Sequence, residues 1–565
     1  MKRKVLSLLL AGAMAVGMLT GCGGSDAAQE SGSAQEESPS QEAAEGEAQE
    51  LTTIRILCNN DYSETQKVKD WEDWPVSEVF VKTLEEMGIR LELECIDSSS
   101  LGDVIRTRMA SGVDMPDIVV SLWSGITEAE ILDWADNDLI YCVSDLLEEY
   151  DEDGSVKAFY DKYVPSAWNS NTALDGKLYW FSYLYGPSKR IEQESGVEYT
   201  YLGAYTLSVR QDWAEAVGEE LRDVYTPEAL RDLLKKMNEQ DANGNGVSDE
   251  VLNINISGFG NGIATAYGLM PYLLGGYYNS DNKVFCNFYH ENFPAYIEYM
   301  KSLYECGVYD TIAMADGDSL TSENKASGVY NYSTWPTESG IAGVEGVQYM
   351  PVIVEADGDL SNGFHMAVDP FEGTTYGQWL IPKSCDKVEA VMRLMDYVYT
   401  DEYAVICQLG LEGTGHEIDE NGNYVTKWIE GDRDSNSLRG TGLALYALPS
   451  IYVYPAVAPI YDEEKDLPYI IPKNIWHYKL CTEYFPHMDY STGHQLAMAS
   501  EEEVAVIERT ENVLSTYASE LLTDLILGNK SLDNLPEYQK EMEELGLLEY
   551  LDVMQARRNR ILGIE

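Results

Sequence analysis

The sequence is poor in basic residues, in histidine and in apolar runs long enough to cross a membrane. Its 565 residues include 38 Lys and Arg against 97 Asp and Glu, which gives a formal net charge of −59 at pH 7. A charge of this size repels phosphate backbones, so nucleic acid is excluded as a partner. Beyond the first 20 residues, no stretch is apolar over the length that a spanning helix needs.

Motifs for the common catalytic chemistries are also missing. The chain has no GxSxG, HExxH or Walker sequence, and no GxGxxG in a suitable context, and its six histidines show no metal-ligand spacing. These absences argue against an enzyme. With 97 acidic residues, some pair of carboxylates would lie near any cleft and could cleave a glycosidic bond. A surface-anchored glycosidase or an adhesion protein therefore stays as an alternative.

The cysteines form no recognisable framework. Apart from Cys22, none belongs to a CxxC pair or lies among histidines, so the spacing indicates neither a zinc cluster nor a disulfide scaffold. We expect most of them to be small core residues. The eight are Cys58, Cys95, Cys142, Cys286, Cys306, Cys385, Cys407 and Cys481.

The N-terminus has the pattern of an export signal. Three basic residues, Lys2 to Lys4, precede an uncharged apolar run from Val5 to Leu19, which is too short for a spanning helix. The run ends in Leu-Thr-Gly-Cys, which resembles a lipobox. That resemblance implies cleavage after a signal peptide of residues 1–21 and acylation of Cys22 by fatty acids such as palmitate. An uncleaved anchor helix is the alternative.

Residues 22–50 are predicted to be a flexible acidic linker. From Gly23 to Glu50 the chain contains no Lys, Arg, aromatic or β-branched residue, so it cannot bury enough apolar surface to order itself. Without the three basic residues of the signal, 35 basic residues face 97 acidic ones, and the mature chain carries −62. Residues 51–565 are long enough for two large lobes.

The first part of the folded region predicts an α/β lobe. Thr53–Cys58 alternates like a strand, Val76–Met87 has helical spacing, and Arg90–Ile96 alternates again. Strand, helix and strand in this order favour a parallel βαβ unit. A second helix over Ser100–Ser111 and a strand over Ile118–Val120 continue the pattern.

Four segments resemble, in chain order, the motifs of extracellular solute-binding proteins of carbohydrate ABC importers, in their long lipoprotein branch. They are MASGVDMPDIV at 109–119, DGKLYW at 175–180, GLEG at 410–413, and LGNKSLD at 527–533 followed by Gly546-Leu547 and Tyr550-Leu551. The resemblance implies an α/β, two-lobed periplasmic-binding-protein-like fold of type II with the ligand cleft between the lobes. It places one lobe at about 51–178 and 381–448, and the other at about 179–380 and 449–565.

The same resemblance implies the function. We expect a monomer that is lipid-anchored on the outer face of the cell membrane, captures an oligosaccharide and delivers it to ABC transporter permease subunits. Hinge closure around the ligand would signal the permease. A binding protein for a peptide or another polar solute is the alternative within this class.

One loop predicts a structural calcium site. It follows a helix predicted over Pro227–Met237, and oxygen side chains stand at loop positions 1, 3, 5 and 9 with glycine at position 6, as in an EF-hand. Leu252 stands where an EF-hand has its bidentate Glu, and the resemblance implies closure by the acids at positions 9 and 10 instead. An Asx-Gly turn without metal is the alternative. The predicted ligands are Asp241, Asn243, Asn245, the Val247 carbonyl, Asp249 and Glu250.

The aromatic residues favour sugar binding. The chain has 40 Tyr and 11 Trp against 10 Phe, and Tyr and Trp combine a flat apolar face with a hydrogen-bonding edge. Trp123 follows the strand that ends at Val120, at the edge where open α/β sheets bind ligands. Tyr183 lies just past a crossover strand and could face the cleft. By resemblance to maltose-binding proteins, Phe259, Trp335 and Trp476 are further candidates.

Overall fold

The computed structural model of the chain contains two main β-sheets, each with its own hydrophobic core. It describes residues 51–564 except 62–66, 152, 186–188, 192–197, 201–205, 255–258, 260–261, 271, 278–279, 311–323, 331–348, 356–365, 369–373, 419, 421, 423, 427–436, 453–488 and 492–495.

The first sheet has six strands. In spatial order they are Ile451–Tyr452, Phe181–Tyr185, Thr374–Leu380, Ile118–Val120, Thr52–Asn59 and Ile89–Ile96. Thr52–Asn59 pairs in parallel with both Ile89–Ile96 and Ile118–Val120. The helix Pro75–Glu86 connects the first two of these strands, so the predicted βαβ unit is confirmed.

Helices cover this sheet because their apolar residues recur with helical spacing. In Val388–Val398, for example, Val391, Leu394 and Val398 are buried on one side. The helix Ser98–Ser111 ends where Gly112 adopts a left-handed conformation. The α-helices of this lobe are Pro75–Glu86, Ser98–Ser111, Glu128–Asp136, Val143–Tyr150, Ser155–Tyr163, Ser166–Asn171, Val388–Val398, Asp401–Gln408 and the single turn Leu443–Tyr446, with a 3₁₀ helix at Val68–Asp73.

The second sheet has five strands and is mixed. In spatial order they are Val224–Tyr225, Tyr349–Val354, Thr206–Arg210, Lys325–Tyr330 and Val251–Leu252. Thr206–Arg210 runs antiparallel to both of its neighbours, and the two outer strands pair in parallel. Its helices are Gln211–Ala216, Pro227–Glu239, Gly262–Ala266, Phe293–Glu305, Glu501–Leu527, Leu535–Glu544 and Leu547–Leu562, with 3₁₀ helices at Asn287–Tyr289 and Leu532–Asn534.

The long helix of the second lobe has clear start and stop signals. Ser500 and Glu503 form a reciprocal capping box at its N-terminus, and Gly528 ends it in a left-handed conformation. Its buried residues, among them Leu514, Leu521 and Leu525, join the core of the second sheet. The C-terminal helices therefore belong to the second lobe.

Four two-stranded sheets complete the described strands. The pairs are Lys189–Ile191 with Glu198–Thr200, Gly276–Tyr277 with Val284–Phe285, Met366–Val368 with Asp489–Ser491, and His416–Ile418 with Tyr424–Thr426.

The chain crosses between the lobes at one end of the first sheet. Phe181–Tyr185 and Thr374–Leu380 fall on the second-lobe side of the boundaries expected from the sequence, yet both pair within the first sheet. Thr374 is the register partner of Tyr185, and Tyr452 is also paired with Tyr185. One end of each of these three strands therefore lies beside the others in the first sheet. The remaining division of the chain into lobes stays a prediction.

Within the described ranges, no helix combines the length and the apolar character that crossing a bilayer would require. The proposed signal peptide, Cys22 and the linker precede residue 51 and lie outside these ranges.

Candidate functional site

The carboxyl edge of the first sheet presents an indole ring to solvent. The strand Ile118–Val120 is fully buried, and three residues later Trp123 is 46% exposed. Trp123 has a φ of +55°, a conformation that is uncommon for a bulky residue. Such strain persists only where surrounding structure enforces it, and it is concentrated at binding sites.

Hydrogen bonds around Ser121 hold the turn that carries Trp123. The Ser121 amide donates to the Gln378 carbonyl at 3.0 Å, and the Ser121 hydroxyl pairs with the side chain of Gln378. The hydroxyl of Ser124 donates back to the Ser121 carbonyl at 2.6 Å. A helix packs closely below the turn, because a Cβ added at Gly102 would lie 2.1 Å from the Ser124 carbonyl oxygen. The turn is therefore braced from both sides.

A second turn approaches Trp123 from a distant part of the sequence. The Tyr446 ring meets the Trp123 ring edge-on, with centroids 4.9 Å apart and planes at 68°. Leu445 has a φ of +95°, so this turn is strained as well. The indole nitrogen of the buried Trp379 donates to the Ala447 carbonyl at 3.0 Å and fixes the turn on the first sheet. Trp123 and Tyr446 together form an aromatic corner at this edge.

Two of the other predicted stacking residues lie in the cores. Tyr183 is fully buried in the first core, and its hydroxyl accepts a hydrogen bond from the Gln408 amide at 3.2 Å. Phe259 is fully buried in the second core, against the rings of Phe288 and Tyr296. Core packing therefore covers both rings in the described structure, and the assignment of these two side chains to the ligand surface stays a prediction.

The remaining predicted aromatics, Trp335 and Trp476, lie outside the described residues. Their assignment to the ligand surface stays a prediction.

The predicted calcium loop begins at the end of the helix Pro227–Glu239 and is a tight polar turn. Asp241 has a φ of +53°, and its Oδ2 accepts a hydrogen bond from the Gly246 amide at 2.8 Å. Its Oδ1 is buried and has no hydrogen-bond partner. An unpartnered buried carboxylate oxygen is costly, so this atom calls for a cation or another donor.

Glu250 closes the loop from inside the fold. Its side chain is fully buried, and its two oxygens accept from the backbone amides of Asn243 at 2.9 Å and Asp249 at 3.2 Å. No Lys or Arg pairs with Glu250 in the part of the chain that the structure describes. Burying a carboxylate without a positive partner carries a large desolvation cost.

Amide side chains surround the remaining acid of the loop. The Nδ2 atoms of Asn243 and Asn245 donate to Asp249 at 2.9 and 3.1 Å. Asn324 also donates to Asp249, although 75 residues separate the two in sequence. No three His, Cys, Asp or Glu side chains converge as in a metal cluster anywhere in the described ranges, and in this loop amides fill the space around Asp249.

Sequence reasoning missed three residues of these two regions. Gln378 and Tyr446 support Trp123 from segments more than 250 residues away, and Asn324 supports the loop from the start of a strand. Long-range pairs of this kind leave no periodic or spacing signal. One local sign of an unusual backbone conformation was present: Thr441 lies between two glycines just before the strained turn.

No family model matches the chain. Among curated proteins, it is 24% identical over 470 residues to the fructooligosaccharide ABC transporter substrate-binding protein FusA of Streptococcus pneumoniae serotype 4, covering 79% of this chain and 80% of that protein.

Solved structures show the same fold. FusA in complex with kestose superposes with a TM-score of 0.63 at 18% identity, over 91% of this chain and 100% of that one. A human-milk-oligosaccharide (HMO) binding ABC-transporter-associated solute-binding protein from Bifidobacterium longum infantis gives 0.63 at 16% identity, over 91% and 100%.

Two further matches concern calcium and an EF-hand. One is a FusA EF-hand mutant in complex with fructo-nystose, with a TM-score of 0.62 at 18% identity. The other is the alginate-binding protein AlgQ2 without calcium ion, at 0.58 and 17%. Both matches cover 91% of this chain and 100% of the other.

The resemblance seen in the sequence is confirmed: the chain has the two-lobed α/β fold of carbohydrate-binding ABC transporter substrate-binding proteins.

Proposed function

We propose that the chain is the substrate-binding lipoprotein of an ABC import system, which captures an extracellular neutral oligosaccharide and delivers it to a membrane permease. The observation that carries the proposal is Trp123, an exposed indole held in a strained turn at the carboxyl edge of a two-lobed α/β fold. An indole offers the apolar face on which a sugar ring stacks, and ligands of open α/β folds bind at this edge. The relative FusA, a fructooligosaccharide ABC transporter substrate-binding protein, supports the ligand class.

Charge favours a neutral ligand. With −62 on the mature chain, a strongly anionic polymer is repelled at long range, whereas a neutral sugar approaches freely. Acidic side chains also accept hydrogen bonds from sugar hydroxyls. A peptide or another polar solute is the alternative ligand class. The same charge disfavours a polyuronate unless several Lys and Arg residues gather at the binding surface.

Binding without turnover distinguishes this proposal from a glycosidase. In a calorimetric screen of the mature protein, we expect at least one neutral oligosaccharide to bind and to raise the melting temperature. Chromatography after long incubation should recover that sugar intact. Release of a shorter product would favour the glycosidase, and tight binding of a polyuronate alone would overturn the neutral-sugar assignment.

We also infer that the loop 241–250 holds a structural calcium ion. Asp241 supports this inference, because one of its oxygens is bound by the Gly246 amide while the other is buried without a partner. The fully buried Glu250 adds a second charge that a divalent cation would offset. The residues that would hold the ion are the side chains of Asp241, Asn243, Asn245, Asp249 and Glu250 and the carbonyl of Val247. The ion would neutralise this turn and brace the second lobe, and it would take no part in catalysis.

Cys22 is proposed as the membrane attachment. The basic residues, the short apolar run and the Leu-Thr-Gly-Cys sequence support export, cleavage and acylation at this position. Cys22→Ala should remain unprocessed by the lipoprotein signal peptidase and should gain no lipid, as measured by mass spectrometry and by metabolic labelling with a fatty acid. A Cys58→Ala variant is the control and should be lipidated normally. Lipid on the Cys22→Ala protein would show that the anchor lies elsewhere.

A further inference from the structure

Cys58 and Cys95 face each other on the first two strands of the first sheet. The strands pair in parallel, and the two cysteines are register partners. Their sulfur atoms lie 3.7 Å apart, although the residues are 37 positions apart in sequence. Cys58 is fully buried, and Cys95 is only partly buried on the edge strand Ile89–Ile96. Neither thiol takes part in the functions proposed above.

The backbone geometry suits a covalent bond between them. Neighbouring strands lie about 5 Å apart, and register partners have Cα atoms at about that separation. Disulfides join Cα atoms that are roughly 4.4 to 6.8 Å apart. Rotation of the two side chains, with a small backbone adjustment, is enough to bring the sulfur atoms from van der Waals contact to bonding distance.

We propose that Cys58 and Cys95 are a modification site, at which a small-molecule disulfide oxidises the two thiols to an intrachain disulfide that joins the first two strands. In the first step the Cys95 thiolate attacks one sulfur of the oxidant, and the other half of the oxidant leaves as a thiol. In the second step Cys58 attacks the Cys95 sulfur, and its proton passes to the departing second half of the oxidant, which leaves as a thiol. The cysteines together lose two electrons and two protons, and the oxidant gains them.

Access and charge set the order of these steps. Cys95 is the thiol that an oxidant reaches from solvent, whereas the core encloses Cys58. The hydrogen bond from Cys58 lowers the pKa of Cys95, and the same contact together with burial raises the pKa of Cys58. Burial and the charge of Asp70 oppose this lowering, and the nearby Lys69 supports it, but the hydrogen bond is the largest effect on the pKa of Cys95. The attacking thiolate therefore forms at Cys95, the more accessible of the two positions.

Oxidation would fasten an edge strand. Ile89–Ile96 has a paired neighbour on one side only, and the bond would tie it to Thr52–Asn59 and close the loop that contains the helix Pro75–Glu86. A cross-link that closes a loop of this length stabilises the folded state relative to the unfolded chain. Substrate-binding proteins of ABC systems work outside the cytoplasm, where disulfides persist.

The test uses the purified mature protein and oxidised glutathione. After incubation at pH 8, tryptic mapping without reductant should give one cross-linked peptide pair containing Cys58 and Cys95. The melting temperature should rise by on the order of 5 °C and fall again with dithiothreitol. A Cys142→Ser variant is the matched control, because Cys142 is also partly buried in this lobe, and it should still cross-link.

Single variants separate the two thiols. Cys58→Ala should stop at a glutathione adduct on Cys95, while Cys95→Ala should carry no adduct on the buried Cys58. The proposal is overturned if both thiols of the wild-type protein remain reduced after prolonged oxidation, as shown by alkylation after denaturation, or if Cys58 pairs with any other cysteine. An adduct on Cys58 in Cys95→Ala would refute the order of attack.

Discussion

The aromatic corner of the first lobe and the acidic loop of the second lobe share an unusual backbone conformation but orient their side chains in opposite ways. Trp123 and Asp241 both have φ near +54° without being glycine, and each lies within three residues of the end of a regular element. At Trp123 the unusual conformation turns a large apolar ring out to solvent. At Asp241 it turns a carboxylate inward, where one oxygen stays without a partner. The first arrangement suits a large ligand that comes and goes, and the second suits a small ion that stays.

Removal of calcium tests the second arrangement and should have the largest effect. A chelator should lower the stability of the mature protein by about 3 kcal/mol relative to calcium at 100 times its Kd, because the ion binds only the folded state. Asp241→Ala should abolish the difference, as followed by thermal unfolding. Asp232→Ala is the control, since it removes an exposed acid from the preceding helix and should keep the response. Equal melting temperatures of metal-free wild-type protein with calcium and with chelator would show that the loop is only a turn.

Truncation of the indole tests the first arrangement. Trp123→Ala should weaken binding of the neutral oligosaccharide by about 2 kcal/mol, as stacking anchors do. Its thermal stability should change little because the ring is half exposed. Trp123→Phe, which keeps an aromatic face, should retain most of the affinity. Calorimetry decides, and unchanged affinity in Trp123→Ala would remove this residue from the binding surface.

An acidic cluster in the first lobe sharpens the contrast, because it resembles the loop in charge but lacks the EF-hand spacing of the loop. Burial raises the pKa of Asp396 to about 6, and the charges of Asp151 and Asp153 add to the effect. The Oδ1 of Asp396 is buried without a hydrogen-bond partner. Because the folded pKa lies above the unfolded one, this carboxyl stabilises the fold least at high pH. Its penalty grows as pH rises from about 4 through 6.

Asp396→Asn should therefore be more stable than the wild type at pH 7, by about 1 kcal/mol after allowance for solvent near a partly exposed group. The difference should disappear below pH 4, where the wild-type carboxyl is protonated in both states. Unfolding at a series of pH values measures it, and Asp153→Asn, at an exposed position of the same cluster, should show a smaller gain. A pH-independent difference would point to packing instead of charge.

What the sequence could predict depended on how local the feature was. The parallel βαβ unit, the strand Ile118–Val120 and the hydrogen-bonded turn that begins at Asp241 each lie within a few dozen residues, and periodicity or spacing was enough to find them. The aromatic positions were harder. Tyr183 was expected to face the cleft because it follows a crossover, but its strand belongs to the interior of the first sheet and its ring is covered.

Pairs brought together only by folding had no signal in the sequence. Ser121 with Gln378, Asp249 with Asn324, and Cys58 with Cys95 each join separate segments. Spacing within either segment carries no information about the other, and the cysteines in particular suggested isolated core residues. The residues that support both regions are therefore brought together only by the fold. The sequence by itself indicates only local turns with unusual backbone conformations, such as the loop at Asp241.

The place where the chain leaves the first sheet has a mechanical consequence. Tyr185, Thr374 and Tyr452 are neighbours in the pairing of three adjacent strands, so all three crossings start from one short line at the same end of the sheet. We expect these neighbouring strand ends to act as one hinge, because bending across them leaves the pairing at Tyr185 intact, whereas twisting or sideways shear would break it. The lobes would then move mainly through one angle, and ligand binding would select a single value of that angle.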